Sequence, residues 1–172
     1  MLTFLMRMKL RMSNPKYGPG YEKSKDKTRA KKRVLHLLER SQKSEKQLRD
    51  KLKEGGYEPE VIDEAIDYAK SYHYIDDERF ARDFVRLSCH NKSRIRLKQD
   101  LSQKGIDKEL IDIAIEEEYE VDEVELLKEL LRKRHYNPSG DYSEKQKHFR
   151  YLSSKGYSTS VIRRAMDMED EF

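Results

Sequence analysis

Apolar residues recur along this chain at helical spacing, in short sets punctuated by glycine turns. Ala30, Val34, Leu37 and Leu38 fall at i, i+4, i+7 and i+8, one face of a first helix. Ser44 and Gln47 have the spacing of a capping box, ahead of a second helix with Leu48 and Leu52 inward. Gly55-Gly56 ends that helix, because glycine accepts the left-handed C-terminal turn at little cost. Pro59 suits the first position of a third helix, whose inward face is Val61, Ile62, Ala65, Ile66 and Ala69.

The same pattern then returns twice. Leu52-x3-Gly56-Tyr57-x3-Val61-Ile62-x2-Ala65-Ile66 aligns without gaps with Leu101-x3-Gly105-Ile106-x3-Leu110-Ile111-x2-Ala114-Ile115. It aligns again with Leu152-x3-Gly156-Tyr157-x3-Val161-Ile162-x2-Ala165-Met166, at offsets of 49 and 51 residues. Glu58, Asp107 and Ser158 share the column where the third helix needs a cap. Three copies at near-constant spacing mark a repeat array. The pattern predicts an all-α fold of three tandem three-helix repeats in an elongated, curved array, behind a basic, flexible N-terminal arm. The expected bounds are a disordered arm over 1–29 and repeats over 30–74, 75–120 and 121–172. The least regular piece is a loop over 135–143 inside the third repeat.

The middle repeat opens with Tyr74-Ile75-Asp76-Asp77-Glu78-Arg79-Phe80-Ala81. Asp76 reads as a helix cap, and Asp77 and Glu78 as first-turn acids favoured by the helix dipole. Phe80, Phe84 and Leu87 follow at helical spacing as an inward face. A metal cluster is the poorer reading, since three consecutive carboxylates cannot converge as a hard cation requires.

Charged residues make up 41% of the 172, and the hydrophobic set only 35%. That is lean for one compact core and suits narrow helices stacked in a row, each burying one stripe. The net charge of +4 conceals a division. Residues 1–33 hold 11 Lys/Arg against Glu22 and Asp26, a net of +9, so the remaining 26 bases and 31 acids leave the rest at −5. Nucleic-acid binding by the body therefore has to rest on local patches. Cys89 is the only cysteine, which excludes an intramolecular disulfide and points to a reducing, cytoplasmic setting. The apolar start is broken by Arg7, Lys9 and Arg11, too early for a signal-peptide core or a membrane span.

Catalysis finds little support. His36, His73, His90, His135 and His148 are scattered, with no pair at i, i+4 and no acid at metal spacing. Cys89 and His90 diverge by about 100° on a helix and cannot form a nucleophile–base pair. No Gly-rich phosphate loop is present. The expectation is a non-enzyme with no catalytic residue, cofactor or metal.

The second helix, glycine turn and third helix of each repeat superficially resemble a helix-turn-helix. Groove reading is nevertheless disfavoured, because the third helices of the first two repeats are acidic: Glu58, Glu60, Asp63, Glu64 and Asp67, then Asp107, Glu109, Asp112 and Glu116-Glu117-Glu118. Bases gather elsewhere. Arg86, Lys92, Arg94, Arg96, Lys98 and Lys104 accompany a single acid, Asp100, around the middle repeat's second helix. Arg132-Lys133-Arg134 closes a helix of the third repeat, with Lys145, Lys147, Arg150 and Lys155 after it and Arg163-Arg164 in its last helix. These bases read either as an ordinary solvated face or as a binding patch. Ile95 points away from the Leu97–Leu101 stripe, and either packs on a neighbouring repeat or anchors a partner.

The chain resembles the RecX family of recombinase regulators. The matching residues are Arg40-x3-Ser44-x2-Gln47-Leu48-x3-Leu52, the Tyr74 to Ala81 stretch, Arg94-Ile95 with Leu101-x2-Lys104-Gly105-Ile106, and Phe149-x2-Leu152-x2-Lys155-Gly156-Tyr157. The likeness covers roughly residues 30–168. Gln47 stands where the family usually has Glu, and Asn91 where it often has Gly; Asn is the next best residue for a left-handed turn. The basic arm falls outside the shared pattern. The resemblance implies a protein that binds the RecA recombinase, chiefly as its filament on single-stranded DNA, and restrains its ATPase, strand exchange and filament growth. The surface expected to meet RecA or DNA comprises Arg86, Lys92, Arg94, Ile95, Arg96, Lys98, Lys104, Arg132, Lys133, Arg134, Lys147, Arg150, Arg163 and Arg164. The chain is expected to act as a monomer away from membranes, in DNA repair, homologous recombination and the SOS response. The competing readings are a stand-alone helical-repeat DNA-binding protein acting without RecA, and a general scaffold repeat, which would need broader apolar patches.

Overall fold

In the computed structural model, residues 25–166 are described. They form nine α-helices and no strand. The first repeat holds α1 (Lys27–Arg40), α2 (Glu45–Glu54) and α3 (Pro59–Ser71); the second holds α4 (Asp77–Ser88), α5 (Arg94–Gln103) and α6 (Lys108–Glu118). The third holds α7 (Glu123–Lys133), α8 (Tyr142–Ser154) and α9 (Thr159–Ala165). Most of the basic arm lies outside the described residues, but its last part is helical. Asp26 accepts the Arg29 N–H at 2.9 Å and so starts α1 at Lys27, earlier than the apolar stripe indicates.

Each repeat packs the same way. Its first helix lies chiefly along its third, and its second helix crosses against the third. The result is three separate cores in chain order. The first joins Val34, Leu48, Leu52, Ile62 and Ile66, and Ile75 from the following linker closes it. The second joins Phe80, Val85, Leu97, Leu101 and Ile115, and the third Leu127, Leu131, Leu152, Ile162 and Met166.

The capping grammar holds in most places. Ser44 and Gln47 form the reciprocal box, Pro59 sits at the start of α3, and Asp76 accepts the Arg79 N–H. Of the shared third-helix column, only Ser158 caps with its side chain; Glu58 and Asp107 do not. Gly56, Gly105 and Gly156 all carry positive φ, as the repeat pattern requires. Two expectations change. Leu87 is 78% exposed, because the α4 stripe follows Phe80, Ala81, Val85 and Cys89 and turns Leu87 outward. Asn91 does not take the left-handed conformation; among non-glycine residues His73 and His135 do, each just past a helix end.

The repeats are joined by a recurring contact. Ser44 and Ser93, both fully buried, cap α2 and α5 by accepting the backbone N–H three residues on. Each then donates its hydroxyl into the turn that ends the second helix of the next repeat. Ser44 Oγ reaches the Lys104 carbonyl at 2.6 Å, and Ser93 Oγ reaches the Gly156 carbonyl at 2.8 Å and that of Lys155 at 3.2 Å. One hydroxyl thus satisfies two helix termini, which fixes the spacing of neighbouring repeats.

Candidate functional site

The bases singled out in the sequence do not form one uniform face. Several are paired with acids of the second and third repeats. Arg86 pairs with Asp83 on its own helix and reaches Glu118 at 3.6 Å. Lys92 and Arg96 share Asp100, at 2.6 and 3.1 Å. Lys98 pairs with Asp112 at 2.6 Å, and Lys133 with Glu129 at 2.7 Å. Asp100 is therefore not the only acid facing the middle bases, since α6 supplies two more. These pairs are mostly exposed and contribute little to stability.

Arg94 is more deeply committed. Its N–H donates to Glu123 Oε1 at 2.8 Å and its Nη2 to the Tyr119 carbonyl at 3.1 Å. Its guanidinium also lies 4.3 Å from the centre of the Tyr119 ring. Tyr119 is buried, and its hydroxyl donates at 3.2 Å to the Lys92 carbonyl or to Glu123. Burial, then the nearby Glu123 charge, raises its pKa well beyond the usual phenol range, so it stays neutral. Arg94 and Tyr119 together hold the start of α7 against the start of α5. The sequence does not single out Tyr119 because Lys92 and Arg94, which it holds, lie 27 and 25 residues away.

Other bases remain available. Among the described residues, Lys104, Arg132, Arg134, Lys147 and Arg164 form no ion pair, and neither do Lys145 and Lys155. Lys104 and Lys92 flank the Phe84 ring at 5.3 and 4.9 Å, and Arg134 stacks on Tyr151 at 3.9 Å. Arg150 donates to Gln146 at 2.8 Å, and Arg163 projects from α9 beside Tyr142 and Phe149. Ile95 is 44% exposed on α5, outside the second core. Of the bases singled out in the sequence, those without an ion pair lie mostly in the third repeat, with Lys104 at the joint between the first and second. A surface with this layout can attract phosphate or acidic protein.

Among the described residues no group of three His, Cys, Asp or Glu is placed to hold a metal, and no helix is long and apolar enough to cross a membrane. Cys89 is buried and donates its thiol to the Arg86 carbonyl at 3.4 Å.

Comparison with known proteins covers most of the described chain. Models of the first, second and third three-helix domains of RecX match residues 30–68, 76–115 and 120–166. The regulatory protein RecX of Caldanaerobacter subterraneus subsp. tengcongensis is 34% identical over 155 residues, 89% of this chain and 75% of that protein. The regulatory protein RecX of Clostridium botulinum (strain Alaska E43 / Type E3) is 36% identical over 136 residues, but this chain spans only 63% of its length. A crystal structure of regulatory protein RecX superposes with a TM-score of 0.70 at 26% identity, covering 93% of this chain and 83% of that one. With all three domain models matched in order on an all-helical repeat, the chain belongs to the RecX family.

Proposed function

We propose that this chain binds the RecA recombinase, chiefly as its filament on single-stranded DNA, and restrains ATP hydrolysis, strand exchange and filament extension without catalysing a reaction. The observation that carries this reading is membership of a family of regulatory proteins along all three repeats. The distribution of charge supports it. The third repeat carries several bases without an ion pair among the described residues, while α3 and α6 present acids, so one array offers both signs to a nucleoprotein partner. Tandem repeats suit such a role because successive units can touch successive protomers of a helical polymer. A stand-alone DNA-binding role would instead place the whole affinity on DNA. Co-sedimentation with RecA filaments formed with ATP on single-stranded DNA tests the reading. Binding that requires RecA supports it, and equal binding to bare DNA supports the alternative.

A further inference from the structure

We propose that the seam between the second and third repeats is a phosphate-binding notch for a single nucleic-acid strand, gripped by Lys92, Arg96 and Lys155. A recess of about 410 Å³ opens there, with Asn91, Lys92 and Arg96 on one wall and Tyr151, Lys155 and Tyr157 on the other. Its two walls come from different repeats and are held in register by the Ser93 hydroxyl in the turn at Lys155 and Gly156. Three cations line the recess. A fourth, Arg134, stacks 3.9 Å from the Tyr151 ring centre, with Lys155 Nζ at 5.5 Å from the same centre. The acid beside Lys92 and Arg96 is Asp100, bonded to both, so positive charge remains in surplus.

The repeat supplies its own control. At the seam between the first and second repeats the corresponding columns hold Gln42, Lys43 and Gln47 on one wall and Asp100, Lys104 and Ile106 on the other. That seam uses the same serine joint yet lacks the cation at the Arg96 column and has a carboxylate at the Tyr151 column. Joining two repeats therefore does not require an arginine at this column, and the second seam carries the larger surplus, with three cations against the two of the first.

The chemistry of the lining points to phosphate. Arg134 stacks on the aromatic ring, so cations rather than an open ring face meet the ligand, and base stacking is not the main recognition. Guanidinium and ammonium groups beside the Asn91 amide match the oxygens of a phosphodiester. A flexible single strand can dip its backbone into a recess walled by two repeats, whereas a duplex holds its phosphates along a stiff ridge. The proposal rests on the reading above only in taking DNA as the polyanion, and its test omits RecA.

The test is a fluorescence-anisotropy titration of the full chain with labelled oligo(dT) of about 20 nucleotides at several salt concentrations. Lys155→Glu is expected to weaken binding about tenfold and to flatten the salt dependence by about one to two released ions. Lys155→Gln should give an intermediate loss. Lys43→Glu, a lysine lining the first seam in the Lys92 column, should change affinity by less than about threefold. Circular dichroism of each variant checks that the helices persist; Lys155 is exposed and outside the core. Three results would overturn the notch: no oligo(dT) binding by the unaltered chain, equal losses for Lys155→Glu and Lys43→Glu, or tighter binding of polyglutamate or duplex than of oligo(dT). If oligo(dT) binds through the notch while RecA filaments are ignored, the RecA reading fails and the notch stands.

Discussion

At the scale of single residues, two glycines in the same column carry different loads. Gly56 has a φ of 76° and nothing within 4 Å of where a Cβ would sit. Gly105 has a φ of 81°, and an added Cβ would lie 2.5 Å from the Lys46 side chain of the preceding repeat. Gly56→Ala should therefore cost about 1 kcal/mol, from the left-handed backbone alone. Gly105→Ala should cost more, about 1–2 kcal/mol, because the joint with the first repeat must also shift. Urea denaturation of the two variants reads the difference, and equal midpoints would show that Lys46 yields freely. Arg94 separates in a similar way from its neighbour Lys98. Both read as exposed bases in the sequence, one turn apart. Arg94→Glu removes a stacked guanidinium and a carbonyl partner and places a carboxylate near Glu123, so it should cost about 1–3 kcal/mol. Lys98→Glu loses only an exposed pair with Asp112 and should leave the denaturation midpoint nearly unchanged. Reversing Arg94 therefore does not test partner binding cleanly.

At the scale of elements, the helices and their caps were legible because their causes are local. The Ser44–Gln47 box, the Asp76 cap, Pro59 at a helix start and the three turn glycines each act within a few residues. The joints were not legible, because a capping serine looks the same whether or not its hydroxyl also reaches a carbonyl 62 residues away. The recurrence of Ser44 and Ser93 in one column was the available signal. Ser93→Ala removes a cap and leaves part-buried carbonyls at the seam without that donor, for an expected cost of about 2 kcal/mol. The first joint also contains opposed titrations. Burial raises the Glu45 carboxyl, but hydrogen bonds and charge from Lys70 and Arg49 outweigh it and leave the pKa below its usual value. Glu45 thus adds stability at neutral pH that is lost as pH falls through its lowered pKa. Asp77, which accepts the Glu45 N–H at 2.9 Å, is raised chiefly by burial, so its charged form costs stability once pH rises through that pKa. Asp77→Asn keeps the acceptor and removes the charge. It should raise the melting temperature at pH 7 and lose that advantage in acid, where Asp77 is already protonated; a pH series of thermal melts checks the sign.

At the scale of the whole molecule, the all-helical, three-repeat architecture was readable from periodicity, while the binding surface was only partly so. Counting bases along α5 suggested one cationic helix. In three dimensions the acids of α4, α5 and α6 neutralise much of it, and of the bases singled out those left without an ion pair lie mostly in the third repeat. Arg132, Lys147 and Arg164 are exposed and form no ion pair among the described residues, so reversing them should leave the fold intact and remove long-range attraction to a polyanionic filament. Glu60 and Asp67 on the acidic α3 are the matched control, exposed and on the opposite charge face. The most direct measurement is a titration of RecA's DNA-dependent ATPase with the unaltered chain, the Arg132→Glu/Lys147→Glu/Arg164→Glu variant and the Glu60→Lys/Asp67→Lys variant. The account predicts inhibition by the unaltered chain, a loss of potency of about tenfold or more for the base reversal, and a change below about threefold for the acid reversal. No inhibition by the unaltered chain, or a larger loss from the acid reversal than from the base reversal, would contradict it.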